Sequence, residues 1–240
     1  MRILAIDSSA KTATAALLTD GSVTASFTVQ TGTHSTTLLP MIEDMLTLSS
    51  LTYGDIDAYA AVCGPGSFTG IRIGVSTVKG LAFSANVPCI GVSALDAMAE
   101  NLRGVDGIIV PVIDARRDMV YTAVYRSTPD GQLTKLCDDS QLSVDELCGI
   151  LNEKYEDERV FFAGDAYGTM TSHPLRPKLT AYTPDVLRLP SAVGAALSAQ
   201  HKWDAAEDRS VFTDSSLLPV YLKKSQAERE RDERISGTSD

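Results

Sequence analysis

The run Cys63-Gly64-Pro65-Gly66-Ser67-Phe68-Thr69-Gly70-Ile71-Arg72-Ile73-Gly74 constrains this chain more than any other stretch. Before it, residues 56–62 form a short apolar run of strand length. After it, small and apolar residues recur at helical spacing as far as Lys79-Gly80-Leu81-Ala82. The stretch reads as strand, glycine turn and helix, with Gly64, Gly66 and Gly70 admitting backbone that a Cβ would forbid and Thr69 placed to cap the helix. A helix start of this kind can hold an anion. The phosphate-loop pattern is absent, however, because Ile71 and Arg72 stand where Lys and Ser or Thr belong. The dinucleotide pattern fails too, since Thr69 occupies the place of the third glycine. Gly70, Gly74 and Gly80 suit close packing against a neighbour. Ser67, Phe68 and Arg72 look instead like a contact surface.

The flanking sequence sets this motif in an α/β chain. Residues 3–7, 13–18 and 23–29 read as strands of an antiparallel meander, with a hairpin signal at Asp20-Gly21. The first turn, Asp7-Ser8-Ser9, carries a carboxylate and two hydroxyls, the residue types that hold phosphate and metal in actin-like ATPases and sugar kinases and that also populate plain turns. A helix follows from about Thr33 to Leu46, with Pro40 in its early part. Leu38 and Met41 widen an apolar face that already holds Leu39, Ile42, Met45 and Leu46. Core packing and a helical partner surface both account for that face. His34, without a second histidine nearby, reads as a hydrogen-bonding residue.

From Gly104-Val105-Asp106-Gly107 onward the beginning repeats. Residues 109–114 parallel 3–7, residues 120–125 parallel 13–18, Asp130-Gly131 repeats the hairpin signal, and Ser143 to Glu146 opens a helix with a capping box. A strand then enters a glycine turn at Gly164-Asp165. Features recurring in this order imply two duplicated lobes, each a mixed sheet with flanking helices, expected over 1–104 and 105–240. A helix rich in small residues is expected over 191–203, an apolar anchor over 217–222, then a charged tail over 223–234 and disorder over 237–240.

Composition narrows the functional classes. With 240 residues, 44% of them hydrophobic, the chain is long enough for one large domain or two lobes. No run reaches the roughly 18 apolar residues of a membrane span. The N-terminus reads as a strand rather than a signal peptide, so a cytoplasmic location is expected. Cys63, Cys89, Cys137 and Cys148 form no C-x-x-C pair and are expected to be reduced thiols. A net charge of −10 argues against a large phosphate-tracking surface, so any contact with RNA is expected to run through a partner.

The N-terminal strand with Asp7-Ser8-Ser9, His34-Ser35 with Leu38-Leu39-Pro40, the glycine stretch to Gly74, and Pro219-Val220-Tyr221-Leu222 followed by Ala227-Glu228 together resemble the bacterial TsaB (YeaZ) family. The resemblance covers nearly the whole chain and is weaker between Asp138 and Thr213. It implies an actin-like (ASKHA) two-lobed fold and a part in forming N6-threonylcarbamoyladenosine (t6A) at position 37 of tRNAs reading codons that begin with A. In that family the protein is a non-catalytic dimerisation subunit. It pairs through its N-terminal lobe with a TsaD-like catalytic subunit, a TsaE-like ATPase joins the pair, and the chain alone forms homodimers.

On this resemblance Leu38, Met41, Ile42 and Met45 of one helix, with Arg72, Gly74 and Val75 of the other, are expected at the partner interface. No catalytic residue and no metal site are expected, since His34, His173 and His201 do not form the His-x-x-x-His pair of the catalytic relative. Asp7-Ser8-Ser9 stands as a vestigial phosphate loop. Its counterpart Asp114-Ala115-Arg116-Arg117 lacks glycine, and residues 163–168 are a thin adenosine loop, so no cofactor is expected on this chain alone, with ATP or ADP possible in the assembled complex. The alternative is a small actin-like kinase or ATPase with Asp7 as the metal-linked acid and Asp114 as the base. A peptidase reading finds neither the metal nor the nucleophile arrangement it needs.

Overall fold

The structure, a computed structural model, describes residues 1–30 and 32–222. The charged and terminal tail segments expected over 223–234 and 237–240 lie outside the described residues. Two five-stranded sheets form the frame. The first is built from β1 (Arg2–Asp7), β2 (Thr12–Thr19), β3 (Ser22–Gln30), β4 (Ala58–Gly64) and β5 (Cys89–Ser93), in the order β3-β2-β1-β4-β5. The second takes β6 (Gly107–Asp114), β7 (Met119–Ser127), β8 (Leu133–Ser143), β9 (Val160–Ala163) and β10 (Thr180–Ala181), in the order β8-β7-β6-β9-β10. The two orders are the same with each strand shifted by five. In both, the meander pairs are antiparallel and the two remaining pairs parallel. The duplication expected from the recurrence of motifs is therefore present in the strand connections themselves.

Helices cover the sheets as their sequences require. On one face of the first sheet, α1 (His34–Leu48) and α2 (Phe68–Ala85) share a core with Leu4, Ile6, Leu17 and Tyr59. On the other face lie α3 (Ala94–Glu100) and α7 (Ala192–Ala205), packed with Ile3, Ala5 and Leu18. Gly194 of α7 meets the carbonyl of Ala97 so closely that no Cβ would fit, which explains the small residues of α7. Although α7 follows β10 in the chain, it packs against β1 and β2 of the first sheet. The second sheet carries α4 (Val144–Lys154) and the short α5 (Tyr167–Ser172), with α6 (Asp185–Arg188) beside β9.

The caps follow local chemistry. Ser93 and Ser191 cap α3 and α7, and Ser143 with Glu146 forms the expected capping box on α4. At α2 the expectation is corrected. Ser67, not Thr69, is the cap, its Oγ accepting from the Gly70 amide at 3.2 Å, while Thr69 is the second helical residue and faces outward.

Candidate partner-binding surface

The glycine turn closes against the first turn of the chain. Gly64 ends β4 at φ +131°, and a Cβ there would collide with the Val220 carbonyl. One turn later the glycines face Asp7-Ser8-Ser9. The Ser67 amide donates to the Ser9 carbonyl at 2.7 Å and Ser8 Oγ donates to the Gly70 carbonyl at 2.8 Å. A Cβ on Gly66, Gly70 or Gly74 would strike Ser8 or Ser9. The close packing expected of Gly70 and Gly74 is thus directed at this turn. Gly80 is a correction: among the described residues nothing lies within 4 Å of its Cβ position, so it makes no close contact there.

This contact changes what the Asp7 turn can do. Ser8 and Ser9 are buried against α2, and Ser8 Oγ and the Ser9 carbonyl are spent on the start of that helix. Asp7 is buried as well. Its Oδ1 accepts from the Ser9 amide at 2.8 Å, and Oδ2 has no hydrogen-bond partner among the described residues. Burial raises the carboxyl pKa above its ordinary value, against the lowering effects of the Ser9 hydrogen bonds and of nearby His34. His34 Nε2 lies 2.9 Å from the Ala10 carbonyl, and because a carbonyl only accepts, Nε2 carries the proton.

The second turn is open but lacks the cradle of a phosphate loop. Arg116, Arg117 and Asp118 all take positive φ, and the Arg116 side chain extends into solvent with an ion pair to Asp114 at 3.6 Å. The Asp114 amide donates to Asp165 Oδ1 at 2.8 Å, tying this turn to the thin glycine loop. In that loop a Cβ on Gly164 would collide with the Val112 carbonyl, and the Arg188 guanidinium lies over the Tyr167 ring at 3.9 Å. Among the described residues no group of three or more His, Cys, Asp or Glu side chains could hold a metal ion.

On α1 and α2 most of the residues expected at the partner interface lie in the core of the chain. Leu38, Met41, Ile42 and Met45 are buried against the first sheet, with Met41 only 5% exposed, and Gly74 and Val75 are buried likewise. These six do not lie on the free surface of the folded chain, because the strands beneath already cover the stripe they form. The outward faces carry other residues. On α1 these include Leu39, Glu43, Asp44 and Leu48, the last 77% exposed. On α2 they include Arg72, Ser76, Gly80 and Phe83, the last 79% exposed, with Ile73 half-buried. Leu48 and Phe83 sit among other apolar residues in sequence, so their outward orientation could be read only once the buried stripe was fixed.

Arg72 is exposed as expected, and it already has a partner within the chain. Its Nε donates to the Tyr221 hydroxyl at 2.8 Å, and its guanidinium lies 3.9 Å from the Phe68 ring centroid. The Phe68 and Tyr221 rings are themselves 4.9 Å apart. The Val220 amide donates to the Cys63 carbonyl at 2.8 Å, and Leu217 enters the core beside Cys63 and Cys89. Gly64, Phe68 and Arg72 therefore seat the chain's own apolar anchor. Both halves of this contact were legible in the sequence, but their pairing across some 150 residues was not.

The pattern of the family described as "TsaD: tRNA N6-adenosine threonylcarbamoyltransferase" matches residues 28–228. The Bacillus subtilis tRNA threonylcarbamoyladenosine biosynthesis protein TsaB is 33% identical over 95% of this chain and 96% of its own length. The chain belongs to the TsaB (YeaZ) family. The Escherichia coli TsaB protein is 44% identical over 55% of this chain and 58% of its own length, so that match spans little more than half of that relative. Among solved structures, YeaZ from Pseudomonas aeruginosa superposes with a TM-score of 0.77 at 29% identity, covering 92% of this chain and 99% of its own. Component A of the Acidaminococcus fermentans (R)-2-hydroxyglutaryl-CoA dehydratase, at 13% identity and a TM-score of 0.53 over 84% of this chain and 98% of its own, shares the fold alone. The fold is actin-like, two lobes of one plan.

Proposed function

We propose that this chain acts in tRNA threonylcarbamoyladenosine biosynthesis as a non-catalytic subunit. It docks a TsaD-type catalytic subunit on the outward faces of α1 and α2. The observation that carries the reading is the composition of those faces: Leu39, Leu48 and Phe83 are exposed, and Ser76 and Gly80 leave room for another helix to approach. Exposed apolar side chains on neighbouring helices stabilise a helix-on-helix contact, and a site without a Cβ shortens the distance at which helices cross. A homologous lobe presents the same kind of helix pair, which accounts for a homodimer when the chain is alone. The spent turn at Asp7 supports the non-catalytic role, and contact with tRNA runs through the complex. The TsaE-like ATPase and any ATP or ADP belong to that assembly. The two lobes are taken as 1–104 and 105–240 in the chain, with α7 of the second segment returning to the first sheet, and the partner on the first. No described helix is long and apolar enough to cross a membrane.

The test is light scattering of the chain mixed with a TsaD-type subunit. Phe83→Asp changes an exposed position and is expected to abolish the complex while leaving the circular dichroism and thermal midpoint of the chain unchanged. An intact complex with Phe83→Asp and Leu48→Asp combined would remove this surface from the reading. ATP hydrolysis by the isolated chain would favour a small actin-like ATPase instead.

A further inference from the structure

The free edge of β5 is spanned by the segment that follows α7. That segment is pinned at two points, where the Cys89 amide donates to the Phe212 carbonyl at 3.2 Å and the Val220 amide donates to the Cys63 carbonyl at 2.8 Å. Between the pins Leu217 anchors in the core, and the rest of the segment borders a half-open cavity of about 390 Å³. That volume falls in the range of small-molecule sites, about 300–1,000 Å³. Val211, Phe212, Leu218 and Val220 form an apolar wall, and Ser93, Asp139 and Lys202 supply the polar end.

The polar end is electrically balanced. Asp139 accepts from Ser93 Oγ and from Lys135 Nζ, both at 2.5 Å, one bond on each oxygen. Behind it Asp96 Oδ1 accepts from Tyr125 at 2.7 Å and from Lys135 at 2.9 Å. Lys202 Nζ donates to the Gly91 carbonyl at 3.0 Å and stands 3.8 Å from Asp96 Oδ2. Two carboxylates thus face two ammonium groups. A phosphate or other multiply charged anion entering here would meet Asp139, and a simple cation would meet Lys202. Both groups keep unused capacity, since an ammonium has three N–H donors and each carboxylate oxygen two lone pairs. A ligand carrying both charges close together, with an apolar remainder, satisfies the polar end and the wall at once.

We propose that this cavity binds a small zwitterion of the α-amino-acid class. Its carboxylate meets Lys202, its ammonium meets Asp139, and its side chain lies against Phe212 and Leu218. Because Lys202 packs with the first sheet and Asp139 belongs to β8 of the second, an occupant ties the two halves of the molecule together. Ligand sites favour such junctions. The site is independent of the surface on α1 and α2.

The experiment is a two-dimensional amide NMR titration of the full chain with L-alanine, L-threonine and L-valine, using acetate, methylamine and inorganic phosphate as probes of the single charges. The expected result is saturable shifts at Gly91, Ser93, residues 216–218 and Val220 with at least one amino acid, and binding at least about tenfold weaker for each single-charge probe. Lys202→Met removes the ammonium, and Val211→Trp fills the wall from a half-exposed position without touching the ionic network. Each is expected to weaken binding at least about tenfold with the remaining amide spectrum unchanged. The absence of saturable shifts up to roughly 10 mM, phosphate binding as tight as that of any amino acid, or unchanged affinity in Val211→Trp would overturn the proposal.

Discussion

Met41 and Asp7 show how a single side chain is redefined by what covers it. Met41 lies on the apolar stripe of α1, and the strands of the first sheet fill the space it faces. Met41→Asp would bury a carboxylate with no counter-charge, so we expect a loss of stability on the order of 3–5 kcal/mol, read by urea denaturation. The surface change Leu48→Asp should cost less than about 0.5 kcal/mol. Asp7 is the converse case, a polar group that burial penalises. Its folded-state pKa lies above the 3.8 of the free side chain, so the native state holds the proton more tightly than the unfolded chain. Its contribution to stability is complete below that value and is lost as pH rises through the folded pKa. Asp7→Asn should therefore be at least as stable as the natural chain near pH 7 and lose its relative advantage near pH 4, as measured by urea midpoints across that range. Equal destabilisation at every pH would show that the ionised carboxylate is not the strained species.

At the scale of the element, α2 uses glycine for two different purposes. Gly70 is needed because the helix sits on the Ser8 carbonyl, whereas Gly80 faces open space. Gly70→Ala should cost about 2 kcal/mol or more, since backbone must move to relieve the clash. Gly80→Ala should instead stabilise the isolated chain by about 0.5–1 kcal/mol, the helix propensity gained, while weakening the complex through its added methyl. Thermal midpoints and a binding isotherm on the same two variants separate these effects. Most elements were legible in advance because strand alternation, Asp-Gly hairpins and Ser caps act within a few residues. The helix cap at Ser67 was missed by two positions, since both hydroxyls fit the pattern and only the turn against Ser9 decides between them. The inward and outward faces of α1 were harder to tell apart, because periodicity marks a stripe and does not say what lies over it.

For the whole molecule, the two sheets and the closing segment decide which groups meet solvent. Burial pushes the thiols of Cys63 and Cys148 up to about 11, and that of Cys89 upward as well, so these three are protonated and shielded. Cys137 alone is partly exposed. A thiol reagent near pH 8 should therefore modify one cysteine in the folded chain and all four after denaturation, as counted by intact-mass spectrometry. Fast labelling of Cys63 in the native state would mean that the segment over β5 opens.

The duplicated α/β plan, its strand content and its family were determined by the sequence alone, because hairpin chemistry, capping and the order of recurring motifs are local and repeat within one chain. Tertiary structure decided that α7 returns to the first sheet, that Tyr221 closes over Arg72, and that the Asp7 turn is consumed by α2. Those outcomes depend on which distant surfaces compete to cover a given apolar or polar group. That competition is settled by packing across the fold and leaves no periodicity in the chain.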